Sequence, residues 1–358
     1  MGKRTNTAKW VESAGRWQIN VQKDGIRKTF TSAKPGRTGQ REANAKADAW
    51  LENGVGTDRA TLSKIFPDFL EDLKLRTSQS NWRGVEQRWR SWGEPVIGGI
   101  RPGALSDFHL QRVITQAYAQ KKLSKKTLMN IRADLFSFSK YLRARKLTSY
   151  RPERVTIPHS AAVGVRTILQ PEHIITLFSS EMTTWHGKPV RDPFINAYRF
   201  QLLTGLRPGE LMGLMPTDIV GDRVILQRSI NEYGEITSGK NENARRSFNL
   251  TPTAKTVLEA QLKEKKSIYI FGIESHSLYR RRWDAYCRAN GIPHVTPYEM
   301  RHTFVSALQG LPEGWVKGLV GHSRSMDSFG VYGHNFGGMD GQIASGVEAI
   351  FQDILKGG

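Results

Sequence analysis

Gly321-His322-Ser323-Arg324-Ser325-Met326-Asp327-Ser328-Phe329-Gly330-Val331-Tyr332, near the carboxyl end, decides how this chain reads. Just upstream lies Tyr298-Glu299-Met300-Arg301-His302, and far upstream Thr204-Gly205-Leu206-Arg207-Pro208-Gly209-Glu210. Among their residues are two arginines, Arg207 and Arg301, a histidine, His322, and a late tyrosine, Tyr332. A phosphodiester is very inert in water, so a catalyst must lower its barrier greatly. The transition state gathers negative charge on the non-bridging oxygens, and two guanidiniums neutralise it with fork-shaped hydrogen bonds. A phenol that displaces a DNA strand keeps the bond energy in a phosphotyrosine link. The strand can then be rejoined, and such a route needs no metal and no nucleotide cofactor.

Each residue also has a plainer meaning. Arg207 reads equally as a surface arginine after a helix, paired with Glu210. Tyr332 reads as a half-buried tyrosine beside a C-terminal helix. Among the ten tyrosines, Tyr332 is set apart by following Gly321-His322 and preceding a second Gly-His pair. Tyr233, Tyr269, Tyr279 and Tyr286 lack that context.

Composition narrows the choice of partner. The 358 residues suit two or three domains, and 38% hydrophobic content suffices for real cores. A formal charge of +20, with a pI near 10.1, points to a polyanion, and nucleic acid is the usual one. A membrane role is disfavoured, because no apolar run approaches the roughly 20 residues of a spanning helix. The opening Met-Gly-Lys-Arg-Thr-Asn lacks the apolar stretch of a signal peptide. The single cysteine, Cys287, excludes an intrachain disulfide and a cysteine-rich zinc site; it reads as a small core residue. A cytoplasmic location fits these features.

The expected fold is multidomain and mainly α. Residues 1–56 read as a three-stranded sheet plus a helix. The runs Trp10–Glu12, Arg16–Gln22 and Ile26–Thr31 are β-prone, with a hairpin signal at Asp24-Gly25. Trp17, Ile19 and Val21 alternate with polar residues, and Arg41–Asn53 carries a helical pattern. A basic sheet of this size can lie in a DNA groove. After a linker at Gly54–Asp58, residues 60–150 carry helical repeats: Leu62 to Leu73, Trp82 to Trp92, Leu110 to Ala117 and Leu128 to Leu142. These predict a helical bundle whose tryptophans belong to its core. The lysines and arginines clustered there, such as Lys121, Lys125, Lys140 and Arg143, suit phosphate contacts in aggregate. Proline-punctuated Tyr150–His159 reads as a boundary. Residues 165–358 read as mostly α with a β insert of three strands, at Val224–Gln227, Gly234–Thr237 and Arg246–Leu250.

Taken as a set, Thr204–Leu211, Lys240 with Arg246 six residues on, Tyr298–Phe304, Gly321-His322 and Tyr332 resemble the tyrosine recombinases. The resemblance is nearest to integrases of temperate phages and conjugative transposons, and it covers the whole chain. It implies an arm-type DNA-binding domain at 1–56, a helical core-binding domain at 60–150 and a catalytic domain at 165–358 with a tail helix. It implies Arg207 and Arg301 as phosphate clamps, Glu210 as a buttress and Lys240 as the general acid for the leaving 5′ oxygen. His322 would contact the scissile phosphate or help take the tyrosine proton, and Tyr332 would be the nucleophile.

Two departures from the family's pattern matter. Tyr298 stands where many members have histidine; it can donate a hydrogen bond to phosphate, orient a neighbour or simply pack, but it is a poor base near pH 7. Tyr332 lies ten residues beyond His322, where nine is common, which implies one inserted residue. His302 reads as structural. The resemblance further implies a Holliday junction intermediate, insertion and excision of a mobile element, and a homotetramer on double-stranded DNA linked through the C-terminal tail. Accessory excision and DNA-bending proteins would assist in a bacterial cytoplasm. Two other readings stay open: a strand relaxase of the type IB topoisomerase kind, and a DNA-binding regulator that keeps the fold without catalysis. The tail pattern, Ile343, Val347, Ile350, Phe351 and Ile354, fits packing on its own domain or on a neighbour.

Overall fold

The structure, a computed structural model, describes residues 5–23, 26–53, 60–164, 166–237, 246–264, 267–321 and 339–357. The chain divides into two compact units, Met1–Gly164 and Val165–Gly358. Among the described residues, the buried apolar side chains form three separate cores, two in the first unit and one in the second.

The amino-terminal sheet has three antiparallel strands in chain order, Lys9–Val11, Arg16–Lys23 and Ile26–Ser32. Ile19 and Val21 are buried with Ala43, Ala47, Trp50 and Leu51 of the helix Gly36–Asn53, as a period of two on the strand and of 3.6 on the helix requires. That helix begins five residues before the expected Arg41. Its first turns carry little apolar signal but are tied to Ala8. Gln40 donates to the Ala8 carbonyl at 2.9 Å, and Asn44 Oδ1 accepts from the Ala8 N–H at 2.8 Å. The Asp24-Gly25 turn and the Gly54–Asp58 linker lie outside the described residues.

The second core belongs to a helical bundle built from Leu62–Lys74, Gln79–Arg88, Asp107–Lys121 and Lys125–Ala144. The repeats Leu62 to Leu73 and Leu128 to Leu142 are buried in it. Trp89 stacks on Phe66, with centroids 4.4 Å apart and planes 5° apart, so this tryptophan is core. The segment expected as a boundary, Tyr150–His159, is a strap on the bundle. Asp107 accepts from the Tyr150 hydroxyl at 2.6 Å and from the Glu153 and Arg154 N–H groups at 3.1 and 3.0 Å. Val155 and Ala161 are buried in the bundle core, and the unit closes only at Gly164.

In the second unit, helices Pro171–Ser179, Ile195–Thr204, Pro252–Glu264, His276–Ala289 and Pro297–Ala307 surround one core. The β insert differs from expectation in one strand, Gly234–Thr237. Ile219–Val220, Arg223–Leu226 and Arg246–Asn249 form the three-stranded sheet, while Ile236–Thr237 pairs with Ser229–Ile230 in a separate hairpin. The Gly221-Asp222 turn, with Gly221 at φ 59°, folds Ile219–Val220 back onto Arg223–Leu226, so that Ile219–Val220 rather than Ile236–Thr237 completes the three-stranded sheet. A further hairpin, Met182–Trp185 with Lys188–Arg191, was not anticipated. It turns through His186 and Gly187, both at positive φ, and its Trp185 ring lies under the Arg282 guanidinium at 4.3 Å.

The terminal helix Met339–Lys356 buries Val347 and Phe351 in the core of its own unit, with Phe351 stacked on Phe304 at 6.1 Å. Glu348 fastens it by accepting from the Thr253 N–H and hydroxyl at 3.1 and 2.6 Å. The apolar face of the tail thus packs within its own unit in this chain. Cys287 is buried, and burial pushes its thiol up to about 12, as suits an unreactive core residue.

Candidate active site

Helix Ile195–Thr204 is buried at every position but Arg199 and stops at Gly205, whose φ of 62° is left-handed. Glycine is required there twice over, since a Cβ would also collide with the Phe304 ring. The turn sends Leu206 into the core and leaves Arg207 extended, at φ −67° and ψ 148°, as N-cap of the short helix Pro208–Met212. Pro208 fits the first helical position because its missing N–H would have no helical partner. Glu210 then reaches back: Oε2 accepts the Arg207 N–H at 2.9 Å, and Oε1 accepts from Arg207 Nη1 at 2.6 Å.

The same carboxylate, 3% exposed, carries a second arginine. Arg246, at the start of strand Arg246–Asn249, donates Nη1 to Oε1 and Nη2 to Oε2, both at 2.9 Å. Its Nε donates to the Leu319 carbonyl at 2.7 Å. Burial alone would raise the Glu210 pKa. The Arg246 hydrogen bonds and charge, with the charge of Arg207, outweigh burial and hold it below the ordinary carboxylate value.

Arg301 is the third cation. It sits on helix Pro297–Ala307, whose first turn is fixed by a capping box between Thr296 and Glu299. The residue is only 1% exposed, with Nη1 donating to the Gly205 carbonyl at 2.9 Å and Nη2 to the Val320 carbonyl. Burial first, then the positive charges of Arg207 and Arg246, pull its pKa down to about 10. It stays protonated at neutral pH, at a cost of roughly 3 kcal/mol in desolvation and repulsion. An anion entering this cluster would relieve part of that cost.

Gln201, fully buried, joins the two arginine segments. Its Nε2 donates to the Leu206 and Pro297 carbonyls, both at 3.0 Å, and its Oε1 accepts from the Tyr279 hydroxyl at 2.9 Å. Leu206 precedes Arg207, and Pro297 opens the helix that carries Arg301.

The structure thus gathers Arg207, Glu210 and Arg301. Tyr298 lies one turn before Arg301 on the same helix, is 46% exposed, and meets His302 edge-on at 5.4 Å. His302 stands 3.4 Å from Arg166; burial, then Arg166 and Arg301, lower its pKa, which favours a neutral ring. Helix Glu313–Val320 ends at Gly321, whose carbonyl lies 3.5 Å from Arg207 Nη2. His322 follows directly in sequence. His322, Lys240 and Tyr332 lie outside the described residues.

Sequence reasoning gave no role to Arg246 or Gln201. Arg246 was visible only as a basic residue six positions beyond Lys240. Gln201 was hidden among the apolar residues of a helix, where a glutamine that ought to face water is the signal.

Comparison with known proteins finds similar chains among recombinases and integrases. Residues 178–337 match the phage integrase family. A tyrosine recombinase XerC-like protein of Caldanaerobacter subterraneus subsp. tengcongensis is 23% identical over 387 residues, spanning 93% of this chain and 95% of the relative. Residues 82–397 of the Tn1549 transposon integrase, solved as an arginine-to-lysine variant in complex with a circular intermediate DNA, superpose with a TM-score of 0.64 at 17% identity, over 80% of this chain and 99% of that fragment. The lambda integrase, solved as a tetramer bound to a Holliday junction, gives 0.58 at 15% identity, over 91% and 98%. Over residues 178–337 this chain is thus similar to the phage integrase family, and the relatives it matches are tyrosine recombinases.

Proposed function

We propose that this protein is a site-specific DNA recombinase that cuts and rejoins strands through a 3′-phosphotyrosyl intermediate. The observation that carries this reading is the pairing of Arg207 and Arg246 with the single carboxylate of Glu210, beside the buried Arg301 that is held on the Gly205 and Val320 carbonyls. Three positive charges against one negative leave a partly buried surplus of two, suited to a phosphodiester. In the mechanism we infer, Arg207 and Arg301 hold the non-bridging oxygens and stabilise the charge that grows on them. The Tyr332 oxygen forms a bond to phosphorus as the bond to the 5′ oxygen breaks. His322 takes up or relays the phenol proton, and Lys240 gives a proton to the departing 5′ oxygen. Reversal by a 5′-hydroxyl from a partner duplex exchanges strands through a Holliday junction, and a second round resolves it.

The wider reading places the sheet unit on separate arm sites, the bundle on the core site, and four protomers on two double-stranded DNA segments. The element would be a mobile one acting in a bacterial cytoplasm, aided by excision and DNA-bending proteins. Among the described residues no helix is long and apolar enough to cross a membrane. In the described protomer the terminal helix is packed at home, so linkage of protomers through the tail requires it to exchange that contact for a neighbour's.

The test uses a duplex nicked close to the cleavage point, on its 3′ side, so that the short piece released with a 5′-hydroxyl diffuses away. The expected product is a denaturant-stable adduct with a free 5′-hydroxyl on the released piece, and peptide mapping puts the nucleotide on Tyr332. Specific binding with no adduct would instead establish a regulator. Relaxation of a supercoiled circle carrying one site, without exchange between two, would establish a relaxase.

Tyr298 offers a finer test. Its exposed hydroxyl suits a hydrogen bond to phosphate, and such a bond to a charged group is worth roughly 1.5–3 kcal/mol. Tyr298→Phe is therefore expected to slow adduct formation about tenfold without weakening DNA binding. An unchanged rate would assign the ring to packing.

A further inference from the structure

We propose that Arg246 is a positioning residue for strand cleavage, sharing Glu210 with Arg207 so that the Arg207 fork is not locked onto that carboxylate. This rests on the recombinase reading above and extends it to a residue to which the sequence assigned no part. The side chain is 7% exposed and makes three directed hydrogen bonds, two to Glu210 and one to the Leu319 carbonyl. Leu319 lies two residues before Gly321, whose carbonyl is itself near Arg207. One buried guanidinium therefore ties the Arg207 segment to the turn that leads into His322. It also anchors the first residue of the strand that follows Lys240 by six positions.

The division of Glu210 is the physical core of the proposal. Arg207 gives the carboxylate one side-chain N–H, on Oε1, and Arg246 gives it two. A buried carboxylate demands close to a full counter-charge. With Arg246 removed, Arg207 is the nearest remaining source, and a two-pronged pair with Glu210 turns its fork away from any phosphate. A second effect runs the same way. Arg246 is one of the charges that depress the Arg301 pKa, so it adds to the positive potential an entering phosphate would meet.

Two variants test this, Arg246→Met, which keeps an apolar stem without charge, and Arg246→Lys, which keeps charge without the fork. Adduct formation is followed in single turnover on the nicked duplex. It is then repeated on a duplex with a methylphosphonate at the scissile position, where one anionic oxygen is replaced by methyl. On the natural phosphate we expect losses of about 30-fold for Met and about tenfold for Lys, with DNA binding within about threefold of wild type. On the neutral substrate the clamps have less charge to balance, so the gap should close to about threefold. Equal deficits on both substrates would overturn the proposal in favour of a purely structural ion pair, and Arg246→Lys carries this comparison if the Met variant does not fold. Wild-type rates in both variants overturn it outright, with the recombinase reading intact. If the wild-type protein forms no adduct on either substrate, that reading falls and this proposal with it.

Discussion

Arg301→Lys is expected to slow covalent strand capture by about 10²–10³-fold while leaving DNA affinity within about threefold of wild type. The charge survives in this variant, so the loss isolates geometry. Arg301 spends one N–H on the Gly205 carbonyl and another on the Val320 carbonyl, and these bonds aim the planar group. The two carbonyls belong to the chain segments that carry Arg207 and lead to His322. A lysine has a single ammonium on a flexible stem and cannot hold both carbonyls and two phosphate oxygens at once. Binding is expected to persist because the whole basic surface, not one buried group, supplies most of the attraction to DNA. Single-turnover cleavage beside a mobility-shift titration checks the split. A lysine variant that cleaves at the wild-type rate would remove Arg301 from the proposed chemistry.

Glu210→Gln is expected to destabilise the second unit by about 3–5 kcal/mol, the largest stability effect foreseen for a near-isosteric change in this chain. Glu210 is the carboxylate between Arg207 and Arg246, and it also offsets the repulsion on Arg301. An amide offers one acceptor atom and turns an NH₂ group toward donors, leaving three guanidiniums crowded together. Urea unfolding measures the loss, and added sulfate should restore more stability to the variant than to wild type, since an anion can replace the missing charge. The pH dependence has a definite sign. The folded pKa of Glu210 is depressed below the ordinary 4.5, so its contribution is fully present above about pH 4.5 and is lost as pH falls through the folded value. The gap between wild type and variant should therefore narrow only in acid. A gap that stays constant down to pH 3 would show that the carboxylate charge is not what the site depends on.

The legible parts of this chain were those where local spacing and burial coincide. Leu62 to Leu73 repeats at helical spacing, and every one of those apolar positions is buried. Ile19 and Val21 alternate with polar neighbours and lie inside the small amino-terminal core. Where competing partners existed, spacing failed. Ile236–Thr237 has the look of a sheet strand, but the two-residue turn at Gly221-Asp222 brings Ile219–Val220 to that sheet first. Tyr150–His159 reads as a linker because prolines interrupt its pattern, and only the side chains of Asp107, Gln111 and Arg132 on distant turns of helix reveal it as part of the bundle.

The same division holds at the candidate site. Sequence by itself determined the resemblance, the positions of Arg207, Glu210 and Arg301 within its motifs, and the strong positive charge. Those are properties of residue identity and short spacing, which a linear text carries. Only the tertiary structure decided that Glu210 serves two arginines, that Arg246 is one of them, and that Gln201 clasps both motif segments from the core. Each of those depends on which buried donor faces which acceptor across stretches of up to 96 residues, as between Gln201 and Pro297. Buried polar groups must find partners on folding, and the partner is chosen by the packing of helices rather than by nearness along the chain.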